Sequence, residues 1–136
     1  MITTNVSINC PIEKVWDAFS NPAHIVHWNF AIPEWHCPAA KNDLQPGGSF
    51  SYTMAARDGS MSFEFGGVYD TVVLHKEITY TLGDGRKVEV RFNSTDQGSE
   101  IEQKFDPESI NSHEMQQAGW QSILNNFKEY TQGLKD

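Results

Sequence analysis

The sequence predicts an α+β domain in which a curved antiparallel sheet of about six to seven strands wraps around one long C-terminal helix. Short stretches that alternate apolar with polar residues recur between tight-turn signals over most of the chain. After Pro107 the period changes, and Trp120, Ile123, Leu124, Phe127, Tyr130 and Leu134 form a stripe at helical spacing. A sheet with one apolar face must bury it, and this last helix is the element long enough to cover it.

Each element follows from local chemistry. Thr4, Val6 and Ile8 alternate with polar neighbours and open the chain with a strand. Pro11 supplies a helical φ where its missing N–H costs nothing, and Ile12, Val15, Trp16 and Phe19 then share one helical face. Asn21-Pro22 reads as the cap and first residue of a second short helix running to about His27, with Trp28 closing the unit. From Ala31 to Leu44, Pro33 and Pro38 remove backbone donors, so a loop entering an irregular or edge strand is expected. Pro46-Gly47-Gly48 suits a type II turn, before Phe50, Tyr52 and Met54 alternate with polar residues. Asp58-Gly59 forms a hairpin turn. The run from Met61 to Leu74 is long for one strand, and Gly66-Gly67 within it suggests a bulge or sharp bend. Strands over Ile78 to Leu82, around Val88, Val90 and Phe92, and around Ile101, Gln103 and Phe105 follow, separated by Gly83-Asp84-Gly85 and by Asp96 to Gly98. Asn111 with Glu114 three residues later makes a capping-box-like start to the final helix.

Composition narrows the function. The 136 residues suit a single domain over 1–136, and 38% hydrophobic with 12% aromatic content supplies a packed core. Ten Lys and Arg against eighteen Asp and Glu give a net charge of −8, which opposes binding to nucleic acid or to an anionic membrane. No run approaches the roughly 18 apolar residues of a membrane span, and no basic patch precedes an apolar leader, so a soluble, cytoplasmic protein is expected. Cys10 and Cys37 make neither a disulfide framework nor a Cys-x-x-Cys pair.

Several motifs stand in a specific order: Val15-Trp16-Asp17-Ala18-Phe19, Asn21-Pro22 with Trp28, Asp43-Leu44-Gln45-Pro46-Gly47-Gly48-Ser49-Phe50, Asp58-Gly59, Gly67 with Tyr69, and Gly119-Trp120. In this order and over nearly the whole chain the sequence resembles the START-like, or SRPBCC, superfamily with its helix-grip fold. Within it, the resemblance is to the family of activator of heat-shock protein ATPase homologue-like proteins. The sequence departs from that pattern at Leu74-His75-Lys76-Glu77-Ile78, where many members have a Pro-Pro-x-Arg-Leu turn, and at Gln45, where Arg is usual. The resemblance implies a cavity between sheet and helix that takes lipids, polyketides, steroids or other apolar molecules, and some members act as cyclases or hydrolases. The chaperone link belongs to a domain of a larger co-chaperone and is an analogy of fold.

The aromatic set is the most informative feature of the sequence. Phe50, Tyr52, Met54, Phe63, Phe65, Tyr69, Tyr80 and Phe92 fall on the concave side of the sheet, Trp120 faces them from the helix, and Trp28 and Trp35 lie near one mouth. Two readings are open: the rings fill the interior, or they enclose an apolar pocket with a few polar tips. His24, His27, His36 and Cys37 are ligand types for zinc but lack a recognised spacing, and His113-Glu114 has no second His four residues on. Nucleophile-elbow, dinucleotide and phosphate-loop signatures are absent. Glu100 and Glu102 alternate against Ile101 and Gln103 and so face solvent, as does Glu64 unless a bulge reverses its phase. An inward Glu64 would have a raised pKa. Arg57, Arg86 and Arg91 are scattered.

The expected function is therefore binding of a small apolar or aromatic ligand, lipid-, polyketide- or steroid-like, through the eleven residues from Trp28 to Trp120 named above. Catalysis, cofactor and metal are not expected, and the chain is a monomer or a homodimer. One alternative is a cyclase- or hydrolase-type enzyme using Glu64, His36 or Tyr69. Another is a stress-related or co-chaperone-like interaction module with an apolar patch on its sheet or its Trp28–Trp35 loop.

Overall fold

The computed structural model describes residues 1–134. The chain runs β1 (Ile2–Ile8), α1 (Ile12–Ser20), α2 (Pro22–Trp28), β2 (Trp35–Asn42), β3 (Ser49–Ala56), β4 (Ser62–Val73), β5 (Glu77–Leu82), β6 (Lys87–Thr95), β7 (Gly98–Phe105) and α3 (His113–Gly133). The strands form one antiparallel sheet of seven, in the order β1-β7-β6-β5-β4-β3-β2. From β2 to β7 each strand pairs with the next in sequence, so short turns suffice, and only β1 must find a distant partner.

Helix ends follow the expected chemistry. Pro11 precedes α1 with φ −65°, and the Asn21 side chain accepts a hydrogen bond from the N–H of Ala23, with Pro22 in the first turn of α2. The start of α3 is one residue later than expected: Ser112, not Asn111, is its cap and accepts from the N–H of Met115 at 3.1 Å. The N–H of Asn111 instead donates to Glu108 Oε1 at 2.7 Å. Two capping residue types stand side by side here, and the Glu108 contact holds the first of them outside the helix.

The bend in β4 differs in kind from the expected bulge. Gly66 and Gly67 pair regularly with Ser51 and Phe50, whereas the register shifts between Tyr69 and Thr71, leaving Asp70 as the extra residue. The glycines are needed for close approach: a Cβ would lie 2.6 Å from the Phe50 carbonyl oxygen at Gly66 and 2.4 Å from that of Thr81 at Gly67. β2 is the irregular edge strand foreseen, its register shifting between His36 and Ala39 around Pro38. In the turn between β4 and β5, His75 takes a left-handed φ of 63° and sets its ring 5.8 Å from Trp16.

The core lies between the concave face of the sheet and the helices. Ile8, Ile101, Phe105, Val88 and Val90 from the sheet, Val15 from α1, and Leu124 and Phe127 from α3 are essentially fully buried. Helix α3 also serves the free edge of β1. Gln121 accepts from the N–H of Asn5 and donates to its carbonyl, Gln117 donates to the Thr3 carbonyl, and Gln132 accepts from the N–H of Asn9 at 2.8 Å. Side-chain amides thus occupy backbone groups that an edge strand would otherwise present to another chain.

Candidate functional site

The helices do not fill the concave side of the sheet. Between β3, β4, β5 and α3 lies a cavity of about 530 Å³, within the roughly 300–1,000 Å³ of small-molecule sites. Register builds its wall. Tyr52 pairs with Phe65, Met54 with Phe63, and Phe50 with side-chain-less Gly67, so large groups stand on one face and leave room beside Phe50. The Phe50 ring lies 4.8 Å from Tyr80, 5.0 Å from Tyr52 and 5.2 Å from Tyr69. Trp120, Ile123 and Leu124 on α3 close the opposite side, and Phe19, Ser20, Trp28 and Asn29 come in from the short helices. Trp120 is anchored by stacking on Phe105 at 3.9 Å.

Nine of the eleven residues singled out from the sequence border this cavity: Trp28, Phe50, Tyr52, Met54, Phe63, Phe65, Tyr69, Tyr80 and Trp120. Trp35 and Phe92 do not. Phe92 is on the concave face, as its alternation requires, but α1 covers that part of the sheet and packs Trp16 and Phe19 against it at 4.9 and 5.3 Å. Trp35 sits outside the wall, 5.8 Å from Phe63, whose own ring is 54% exposed at the mouth. Trp28 is fixed by donation from Nε1 to the Ala18 carbonyl at 2.9 Å and by Phe19 stacked 5.4 Å away.

The polar tips are few. The Tyr69 hydroxyl donates to Asn42 Oδ1 at 2.6 Å, and Asn42 Nδ2 donates to the Ser20 carbonyl, linking β4, β2 and the end of α1. Burial, above all, raises the phenols: Tyr69 to about 12, Tyr52 and Tyr80 also well above their ordinary value. All three are neutral hydroxyls at physiological pH. Asn29 and Gln103, each 8% exposed, also line the cavity. Asn29 Nδ2 reaches only sulfur, Met54 Sδ at 3.4 Å and Cys37 Sγ at 4.0 Å. At the far end, the one cationic side chain on the lining, Arg86, is engaged by Asp84 at 2.7 Å.

Of the groups weighed as catalytic or metal-binding, Tyr69 borders the cavity as a hydrogen-bonded phenol, Glu64 also belongs to its lining, and the others lie elsewhere. Glu64 is exposed, its carboxylate on the outer face accepting from Thr53 and Ser51 at 2.7 Å each, and these bonds hold its pKa below the ordinary carboxylate value. His36 is not on the cavity lining. His24 joins the three helices, with Nδ1 2.6 Å from the Tyr130 hydroxyl and Nε2 3.3 Å from Asp17, while His27 stacks on Tyr130. Among the described residues no three His, Cys, Asp or Glu side chains converge as a metal site. Cys10 and Cys37 are free and buried, each thiol donating to a backbone carbonyl.

Sequence reasoning did not single out Phe19, Asn29, Ile78, Leu82, Gln103, Ile123 or Leu124 for the lining. Gln103 carried a usable signal, since it shares the inward phase of Ile101. Asn29 carried none, because it follows a helix in an aperiodic stretch.

With this geometry in view, residues 9–132 match the sequence profile described as activator of Hsp90 ATPase homolog 1-like protein. The chain belongs to this family. It is 57% identical to a protein from Cytophaga hutchinsonii of known solution structure, covering 96% of this chain and 90% of that one, with a TM-score of 0.84. An AHSA1-like protein from Aeromonas hydrophila is 40% identical over 95% of this chain and 90% of its own, with a TM-score of 0.90. A protein from Chromobacterium violaceum shares the fold at 20% identity, covering 98% of each chain with a TM-score of 0.87. No curated protein matches the chain. The family's helix-grip architecture is thus present in full, and no described helix is long and apolar enough to cross a membrane.

Proposed function

We infer that this family member is a binding protein for a small apolar or aromatic molecule, held between the sheet and α3, and that it performs no chemistry on it. The observation that carries this reading is the cavity itself: about 530 Å³ walled by rings from three strands, the two short helices and the last helix. Rings of this size bury much apolar ligand surface, and a ligand gains roughly 25 cal/mol for each Å² of apolar area removed from water. The polar groups present suit orientation more than proton transfer, since the cavity tyrosines are held neutral and the exposed Glu64 carboxylate is already engaged by Ser51 and Thr53.

The test is native mass spectrometry of the purified protein beside its denatured mass, followed by thermal shifts with graded apolar and aromatic compounds. A molecule that binds only the folded state at a concentration of 100 times its Kd stabilises by about 2.7 kcal/mol. Ile123→Trp, which puts an indole ring where a smaller branched side chain lines the cavity, is expected to abolish that shift while keeping the fold. A bare mass with no stabilisation by any compound class would sink the reading.

A further inference from the structure

Side chains from all three helices line up in one hydrogen-bonded row outside the cavity. Asp17 on α1 sets Oδ2 3.3 Å from Nε2 of His24 on α2, and His24 Nδ1 lies 2.6 Å from the hydroxyl of Tyr130 on α3. None of the three is on the cavity lining. Carboxylate, imidazole and hydroxyl in that order are the parts of a nucleophile, its base and the group that orients the base.

The contacts fix where the protons sit. An ionised carboxylate only accepts, so His24 Nε2 carries the hydrogen and donates to Asp17. In the neutral imidazole Nδ1 is then the acceptor, and the Tyr130 O–H donates to it. Burial first, and then the charge of Asp17, raise the Tyr130 phenol above its ordinary value, so at neutral pH the hydroxyl keeps its proton until a base takes it.

Neighbours hold the row in place without covering it. Asn21 Nδ2 donates to the other Asp17 oxygen at 3.4 Å, and His27 stacks on the Tyr130 ring at 5.6 Å and 13°. The His24 ring meets the same ring at 5.7 Å and a steep angle. The Asp17 side chain is 61% exposed and that of His24 26%, and Tyr130 is half-buried, so a reagent in solvent can reach the row. These groups supply a nucleophile and a base, and an acyl donor that reacts here must bring a good leaving group of its own.

We propose that Tyr130 is an acyl-acceptor site, at which an activated ester transfers its acyl group to the phenol with His24 as general base and Asp17 positioning it. The bond from Tyr130 Oη to the acyl carbon forms, and the bond from that carbon to the leaving oxygen breaks, its electron pair departing with that oxygen. The phenolic proton passes to His24 Nδ1 and from there to the departed oxygen or to water. The product is an ester of Tyr130, and the assignment does not depend on what the cavity holds.

The probe is p-nitrophenyl acetate, read by release of p-nitrophenolate and by peptide mass mapping of the acetyl group. A burst of about one equivalent is expected, with the acetyl on Tyr130 and a rate about a hundredfold above that of N-acetyltyrosinamide, the lower end of what a positioned base contributes. Tyr130→Phe keeps the ring and its contacts with both histidines and should remove the burst. His24→Gln should slow acetylation of Tyr130 about a hundredfold. Asp17→Ala should slow it about fivefold, the scale of an exposed ion pair. Asp17→Asn, whose amide oxygen still accepts from Nε2, should restore part of that loss, with unchanged melting points separating lost orientation from lost folding. A burst that survives Tyr130→Phe would put the nucleophile on an imidazole and overturn the assignment. Acetyl found only on lysines or the N-terminus, or a Tyr130 rate unchanged in His24→Gln, would overturn it as well.

Discussion

If the interior is an open cavity, two phenylalanines of the same size must respond very differently to truncation. Phe127 on α3 is fully buried with its ring 4.9 Å from Trp28 and 5.4 Å from Phe19, and it is not on the cavity lining. Phe127→Ala loses the transfer energy of the ring and leaves a sealed void, which places it at about 4–5 kcal/mol within the usual range for this change. Phe65 is only partly buried and borders the cavity, its nearest ring centroids being 6.0 Å away at Phe50 and Trp120. Phe65→Ala widens space that already exists, so no new void term applies and the cost falls to about 1.5 kcal/mol, the lower end of the transfer term alone. At about 4 °C per kcal/mol for a domain of this size, the melting points should fall by about 16–20 °C and about 6 °C. Urea unfolding followed by tryptophan fluorescence, with equal slopes in all variants, measures both losses. Costs within about 1 kcal/mol of each other would show that the wall has closed around Phe65 and that the cavity argument fails.

Two further predictions concern the same interior. Thr131 is fully buried in α3 with a hydroxyl that has no partner, so Thr131→Val keeps shape and β-branching while removing an unmade hydrogen bond. A rise of about 1 kcal/mol in urea stability is expected, and a loss of more than about 0.5 kcal/mol would contradict it. Tyr69 has its folded pKa raised to about 12, first by burial. Above the unfolded phenol's pKa of about 10 the unfolded chain binds fewer protons than the folded one, so stability is flat below pH ~10 and falls as pH rises toward ~12, by about 1.4 kcal/mol per pH unit for each such tyrosine. Tyr69→Phe should flatten the alkaline limb measured by circular dichroism against pH; an unchanged slope would show that the phenol is not held protonated by the fold.

The sheet and the last helix were legible because their signals are periodic. Alternation placed Phe50, Tyr52, Met54 and Tyr80 on the inner face, and the stripe from Trp120 to Leu134 marked α3, because in both cases burial of one face is what the residues are selected for. Alternation gives the side of a strand but not what covers it, which is why Phe92 ended beneath α1 and not on the cavity wall. The glycine pair in β4 was visible, but two physical uses of glycine, extra residue or close approach, look alike until the partner strands are known. Asp70, the true extra residue, has no local signature. Whether the space under α3 is empty or filled depends on the sum of side-chain volumes across five elements, and no stretch of sequence carries that quantity.

The contacts between β1 and the end of the chain set an order of events during synthesis. β1 pairs with β7, the last strand, and its other edge is served by Gln117, Gln121 and Gln132, between 114 and 123 residues away in sequence. The hairpin-linked strands β2 to β7 can pair as each is made, while β1 has no partner on either side until β7 and α3 have followed it. Closing loops of that length is slow relative to hairpin formation. β1 therefore remains an unpaired strand until β7 and α3 have been made, and over that interval Asn5, Ser7 and Asn9, polar residues alternating with Val6 and Ile8, make it less apolar than a strand buried on both faces.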